Sequence, residues 1–122
     1  EITYKHCEGY AAGELKHGPL ALIEENIPVI ALAPYDDNFS KILSNIQEIN
    51  ARGGKVIMIT DNKGAKKARK YCNSLVLLPE TNIITAPIAY SLPIQLIAYY
   101  LAVLLGTDVD QPRNLAKSVT VE

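Results

Sequence analysis

Three short apolar runs set the strongest limit on what this chain can become: Pro28-Val-Ile-Ala-Leu-Ala33, Lys55-Val-Ile-Met-Ile-Thr60 and Ser74-Leu-Val-Leu-Leu-Pro79. Each is short and continuous rather than alternating, which predicts strands buried on both faces, as in a parallel sheet. Between the first and second runs, Phe39, Ile42, Leu43, Ile46 and Ile49 recur at helical spacing. Asp36 or Asp37 is placed to cap that helix, and Gly53-Gly54 to end it. After the second run, Asp61-Asn62-Lys63-Gly64 reads as a turn into a short basic helix reaching about Cys72. After the third, a long apolar helix starts near Ala86, with Pro87 in its first turn, and ends near Gly106 as a C-cap. The order strand, helix, strand, helix, strand, helix implies an α/β layered domain with right-handed crossovers. Three strands are few for a sheet covered on both faces. With a start at Glu1-Ile-Thr-Tyr4 in mid-pattern, the chain reads as a fragment of something longer.

The same features exclude several classes. The segment from Ile83 to Gly106 is apolar enough to raise a membrane span, but Pro87, Ser91, Pro93 and Gln95 interrupt it and Tyr99 and Tyr100 lie within it. A core helix is expected there, not a spanning one. The net charge of -1 gives no electrostatic case for nucleic acid or an anionic membrane. The basic residues Lys63, Lys66, Lys67, Arg69 and Lys70 read as a solvated helix face. Cys7 and Cys72 lack metal-ligand spacing and are read as buried free thiols of a reducing compartment. No signal peptide is recognisable, and neither a dinucleotide-binding glycine pattern nor a P-loop is present.

Chemistry-bearing residues gather at the two ends. Residues 1–20 hold His6, Glu8, Glu14, Lys16 and His17, punctuated by Gly9, Gly13, Gly18 and Pro19. His17 is the natural acid–base candidate, since an imidazole titrates near neutrality, although a turn histidine is an equal reading. His6, Glu8 and Glu14 have structural or surface readings, and Asp108 and Asp110 read as caps of the turn that opens the tail. In the tail, Arg113 and Lys117 stand four residues apart, with Pro112 to stiffen the chain. A desolvated lysine beside a second cation can form a Schiff base, whereas a generic tail lysine is simply solvated. Arg113 is suited to that second cation or to holding a carboxylate or phosphate.

Gly13-Glu-Leu-Lys-His-Gly-Pro-Leu-Ala-Leu-Ile23 and Asp108-Val-Asp-Gln-Pro-Arg-Asn-Leu-Ala-Lys-Ser-Val-Thr-Val-Glu122 carry a family resemblance. They look like the C-terminal end of the glutamine–fructose-6-phosphate aminotransferases (isomerizing), the glucosamine-6-phosphate synthases. Ala51-Arg-Gly-Gly54 and Pro93-Ile-Gln-Leu-Ile-Ala98 extend the resemblance over essentially the whole chain. It implies residues 1–107 as the C-terminal part of a second sugar isomerase (SIS) domain, flavodoxin-like with a parallel sheet, and residues 108–122 as an active-site tail. The glutaminase domain, the first SIS domain and the loop that holds the sugar phosphate would then belong to missing N-terminal parts of the same protein.

The resemblance also implies roles. Lys117 matches the lysine that forms the imine with C2 of fructose 6-phosphate. Glu1 matches the glutamate that moves a proton between C1 and C2. His17 matches the histidine of ring opening, acting in the active site of the neighbouring subunit of a homodimer. Arg113 and Ala116 match tail positions that close over the sugar. No cofactor or metal, nucleic acid or membrane is implied, and a cytoplasmic setting is expected. The isolated chain is expected to be inactive. The alternative is a non-catalytic phosphosugar-binding SIS module, which would need no imine-forming lysine.

Overall fold

Parallel pairing of three strands, in the order β1-β2-β3, forms the sheet of this computed structural model, which describes residues 1–113. Strand β1 is Pro28–Leu32, β2 is Lys55–Asp61 and β3 is Ser74–Leu78. The register sets Val29 beside Val56 and Ala31 beside Met58, and Met58 in turn beside Leu75. Helix α1 (Phe39–Asn50) crosses from β1 to β2. Helix α2 (Asn62–Ala68), extended by a 3-10 turn at Arg69–Tyr71, crosses from β2 to β3. Helix α3 (Ala86–Leu105) follows β3.

Two compact units divide the chain: Gly9–Tyr90, and Glu1–Glu8 together with the chain from Ser91 onward. In the first, Phe39, Ile46 and Ile49 of α1 pack with Val56 and Met58 of β2, Ala68 of α2 and Leu20. Leu15, Ile23, Val29, Ala31 and Leu75 pack against this cluster. Leu15 and Leu20 come from two 3-10 turns, Ala12–His17 and Pro19–Leu22.

Only β2 is buried on both faces. β1 alternates, with Ile30 at 37% and Leu32 at 42% exposure, and Leu77 of β3 is 54% exposed. The expectation of doubly buried strands therefore fails at β1 and β3. These are the sheet's edges.

Several local expectations change for identifiable reasons. The N-cap of α1 is Asn38, not Asp36 or Asp37. Asp36 instead accepts the N–H of Asn38 at 2.8 Å, shaping the loop before the helix. Gly64 lies inside α2 rather than in a turn, because Asp61 caps the helix directly. Cys7 is exposed and Cys72 is half-buried against the core cluster, so neither thiol is fully buried as expected, although both are free.

Helix α3 begins in the first unit and continues into the second. Asn82 opens it by accepting the N–H groups of Ile84 (2.9 Å) and Thr85 (3.0 Å) on its side chain. Pro93 lies inside the helix without ending it, at the cost of one backbone hydrogen bond. Gly106, at φ +69°, closes it in a Schellman motif: its N–H reaches Val103 O at 3.1 Å, and that of Thr107 reaches Ala102 O at 3.0 Å. The helix is long and apolar enough to cross a membrane, and 17% of its apolar window is buried. That departs from the core helix expected from sequence. A helix apolar on every side needs partners all round, and the described residues cover Tyr90 and Ala102 but leave Ile88, Leu92, Leu96 and Leu104 exposed.

Candidate functional site

The second unit brings the segment that starts at Glu1 together with the tail up to Arg113. Glu1 is followed by a turn in which the N–H of Tyr4 donates to the carbonyl of Glu1 at 3.1 Å. Tyr4 adopts φ +53°, a left-handed conformation that non-glycine residues keep only where surrounding contacts hold them. Those contacts come from the tail. The backbone N–H of Arg113 donates to Tyr4 Oη at 2.7 Å, and the Arg113 guanidinium lies over the Tyr4 ring, 4.2 Å from its centroid. Beside them the Thr107 hydroxyl donates to the carbonyl of Ile2 at 2.7 Å. Asp108 Oδ1 accepts the N–H groups of Asp110 and Gln111, both at 2.9 Å, so it caps the turn that opens the tail. Pro112 is buried. The tail up to Arg113 is thus tied to the loop that carries Glu1.

In the first unit, His17 ends the turn Ala12–His17, where Gly18 at φ +142° redirects the chain. Its Nδ1 lies 2.9 Å from Glu14 Oε2, and both side chains are largely exposed. The neighbouring Lys16 pairs with Glu48 at 3.4 Å. Hydrogen bonding from Arg52, then the charge of Lys16, holds the Glu48 carboxyl below its ordinary range. The pairing gives the His17 imidazole a fixed partner on Nδ1 and leaves Nε2 to act on another group.

At the carboxyl ends of β1 and β2, Tyr35, Asp36, Ser40 and Lys67 border a surface pocket of ≈ 440 Å³. Lys67 Nζ donates to Tyr35 Oη at 2.5 Å. Lys63 pairs with Glu80 at 2.7 Å, which raises the pKa of the amine through that hydrogen bond and charge. The basic face is therefore already partly neutralised. Among the described residues no group of three or more His, Cys, Asp or Glu side chains is arranged to hold a metal.

Of the residues singled out in the sequence, Glu1 and Arg113 each hydrogen-bond to Tyr4 within one unit, and His17 stands with Glu14 in the other. Lys117 and Ala116 lie outside the described residues. Sequence reasoning passed over Tyr4, one of seven tyrosines, which lies in an irregular segment with no periodic signal.

Residues 1–105 match the SIS domain. The whole chain is 62% identical over 122 residues to a glutamine–fructose-6-phosphate aminotransferase [isomerizing] of Mesorhizobium japonicum. It is 64% identical over the same length to that of Bartonella henselae. In both cases the chain spans 20% of the relative's length. Among solved structures, the C-terminal domain of glucosamine-fructose-6-phosphate aminotransferase from Francisella tularensis superposes with a TM-score of 0.83 at 45% identity. That match covers 90% of this chain and 31% of the other. Parallel strands, crossover helices and the extent of the match lead to one assignment: the chain belongs to the SIS domain family.

Proposed function

We propose that this chain is the C-terminal part of the isomerase region of a glutamine–fructose-6-phosphate aminotransferase, which makes glucosamine 6-phosphate and glutamate from fructose 6-phosphate and glutamine. The observation that carries this reading is 62% identity running through all 122 residues, tail included. Residues 1–107 complete a second SIS domain and residues 108–122 form the tail over the sugar. The free thiols Cys7 and Cys72 fit the reducing cytoplasm.

In this reading the unprotonated amine of Lys117 attacks C2 of open-chain fructose 6-phosphate and expels water as the iminium forms. Ammonia released from glutamine then adds at C2 and displaces the lysine amine, leaving fructosimine 6-phosphate. The Glu1 carboxylate takes a proton from C1 and returns it to C2, which turns the ketose imine into the amino aldose. His17, reaching the neighbouring subunit of a homodimer, moves the proton that opens the furanose ring. Arg113 and Ala116 belong to the segment that closes over the sugar and excludes water, which would otherwise hydrolyse the imine. The phosphate is held by the first SIS domain and ammonia is supplied by the glutaminase domain, both in the remainder of the full-length protein.

Borohydride reduction of the full-length protein with fructose 6-phosphate tests the reading. The expected result is a covalent hexitol phosphate on Lys117, absent from Lys117→Arg. Reversible sugar-phosphate binding with no trapped adduct would overturn it and make the protein a phosphosugar sensor.

A further inference from the structure

The geometry points to Tyr4 as the post on which the C-terminal tail docks: its ring and hydroxyl together hold Arg113, and so position the tail relative to the loop that carries Glu1. This rests on the proposed function only for its catalytic consequence, since the docking itself is independent of any activity.

Both polar parts of Arg113 that can anchor the chain are committed to Tyr4. The backbone N–H donates to Oη at 2.7 Å and the guanidinium sits 4.2 Å from the ring centroid. One side chain therefore fixes the backbone position of Arg113 and the direction of its side chain. A cation over an aromatic face is attractive even where water reaches it, and Tyr4 is 37% exposed. The left-handed backbone at Tyr4 is a second, separate observation. A conformation of that kind costs about 1–3 kcal/mol and persists where function or packing holds it. Here it accompanies a side chain whose described partner is the tail.

Covalent geometry carries the consequence. Tyr4 is three residues from Glu1 and hydrogen-bonds to its carbonyl. Lys117 follows Arg113 by four residues, and four residues of chain span at most about 14 Å. With Arg113 docked, the chain that continues to Lys117 leaves from a point fixed against the loop bearing the proton-transfer carboxylate. Tyr4 is a positioning residue, and Arg113 is the point of the tail that it anchors.

Two readouts on the full-length protein keep the two proposals apart. The first is limited trypsin digestion, following cleavage after Arg113 by mass spectrometry. Tyr4→Ala should speed that cleavage about tenfold, leave cleavage after Arg52 and the thermal midpoint unchanged, and be largely reversed by Tyr4→Phe, which keeps the ring. Equal cleavage rates in wild type and Tyr4→Ala would overturn the docking whatever the activity. The second is kinetic. Tyr4→Ala should lower kcat for glucosamine 6-phosphate formation about tenfold or more, with KM for glutamine unmoved. Arg113→Ala should do the same, and the double variant should be no worse than the worse single one, because both remove one contact. A double loss equal to the product of the single losses would refute a shared role. If the wild type traps no sugar on Lys117 while Arg113 protection still depends on Tyr4, the catalytic reading fails and the docking stands.

Discussion

Asp61, the last residue of β2, accepts the backbone N–H of Tyr35 on Oδ2 at 2.9 Å, tying the loop after β1 to the end of the neighbouring strand. Its other oxygen accepts the N–H groups of Lys63 at 2.8 Å and Gly64 at 2.9 Å, which caps α2. One carboxylate, 5% exposed, thus satisfies three main-chain donors at the carboxyl edge of the sheet. Asp61→Ala leaves those donors without a side-chain acceptor and is expected to cost about 2–4 kcal/mol. Asp61→Asn keeps one acceptor oxygen and should cost less. Urea denaturation of the two variants against wild type checks the order. Equal stability of Asp61→Ala and wild type would mean that water replaces the carboxylate at no cost.

Gly64 sits in the first turn of α2, where helix propensity alone favours alanine by about 1 kcal/mol. Packing opposes it. A Cβ there would approach Thr60 Oγ1 to 2.1 Å and Phe39 Cε2 to 2.9 Å. Thr60 cannot swing away freely, because its hydroxyl donates to Ala33 O at 2.5 Å in a fully buried site. Steric cost should therefore win, and Gly64→Ala should destabilise by about 1–3 kcal/mol net. A thermal midpoint at or above that of wild type would show that Phe39 and Thr60 yield more easily than their packing implies.

The alternation of apolar runs was legible because a parallel strand needs continuous hydrophobic residues and a crossover helix needs a stripe; Val56, Met58, Ile46 and Ile49 satisfy both patterns. Gly64 was misread as a turn because a glycine demanded by close packing looks the same in sequence as one demanded by dihedral angles. The exposed faces at Ile30 and Leu77 were not legible, because a strand's apolar content does not say which neighbours the chain itself supplies. Helix α3 carries apolar side chains on every side, so its sequence could not tell a core helix from one left exposed. At the candidate site, the interest of Lys117 and Glu1 came from family resemblance, since a single lysine or glutamate has no distinguishing pattern. Tyr4 had no signal at all, as its role arises from a contact between residues 109 positions apart.

Tyr90 is 4% exposed at the start of α3, and its hydroxyl makes no hydrogen bond of good geometry among the described residues. The nearby Thr60 hydroxyl is already donated to Ala33. Burial, then the charges of Asp61 and Asp36, pushes the phenol from 10.0 up to about 12. Between those values the unfolded chain releases the proton and the folded one keeps it, so folding stability falls as pH rises from 10.0 to about 12. Tyr90→Phe should flatten that part of the pH dependence. At neutral pH it should match wild type or gain about 1 kcal/mol, because a buried hydroxyl without a partner is removed. Parallel urea titrations across this pH range give the difference directly. Identical pH slopes for variant and wild type would show that the phenol is solvated.

His17 and Glu14 stand 2.9 Å apart on one 3-10 turn, and the proposed ring-opening role gives that pairing a use. A carboxylate on Nδ1 fixes the ring orientation and keeps Nε2 available for proton transfer. Because both side chains are largely exposed, the pair adds little to stability, and Glu14→Gln should leave the thermal midpoint of the full-length protein in place. Its effect should be catalytic: a several-fold loss in kcat for glucosamine 6-phosphate formation, smaller than that of His17→Ala, with no further loss when the two are combined. Supplying substrate already in the open-chain form separates ring opening from later steps. An acyclic analogue that cannot close should be turned over equally by wild type, Glu14→Gln and His17→Ala. If His17→Ala remains slow on that analogue, the imidazole acts after ring opening, and the carboxylate beside it orients a group for the imine chemistry instead.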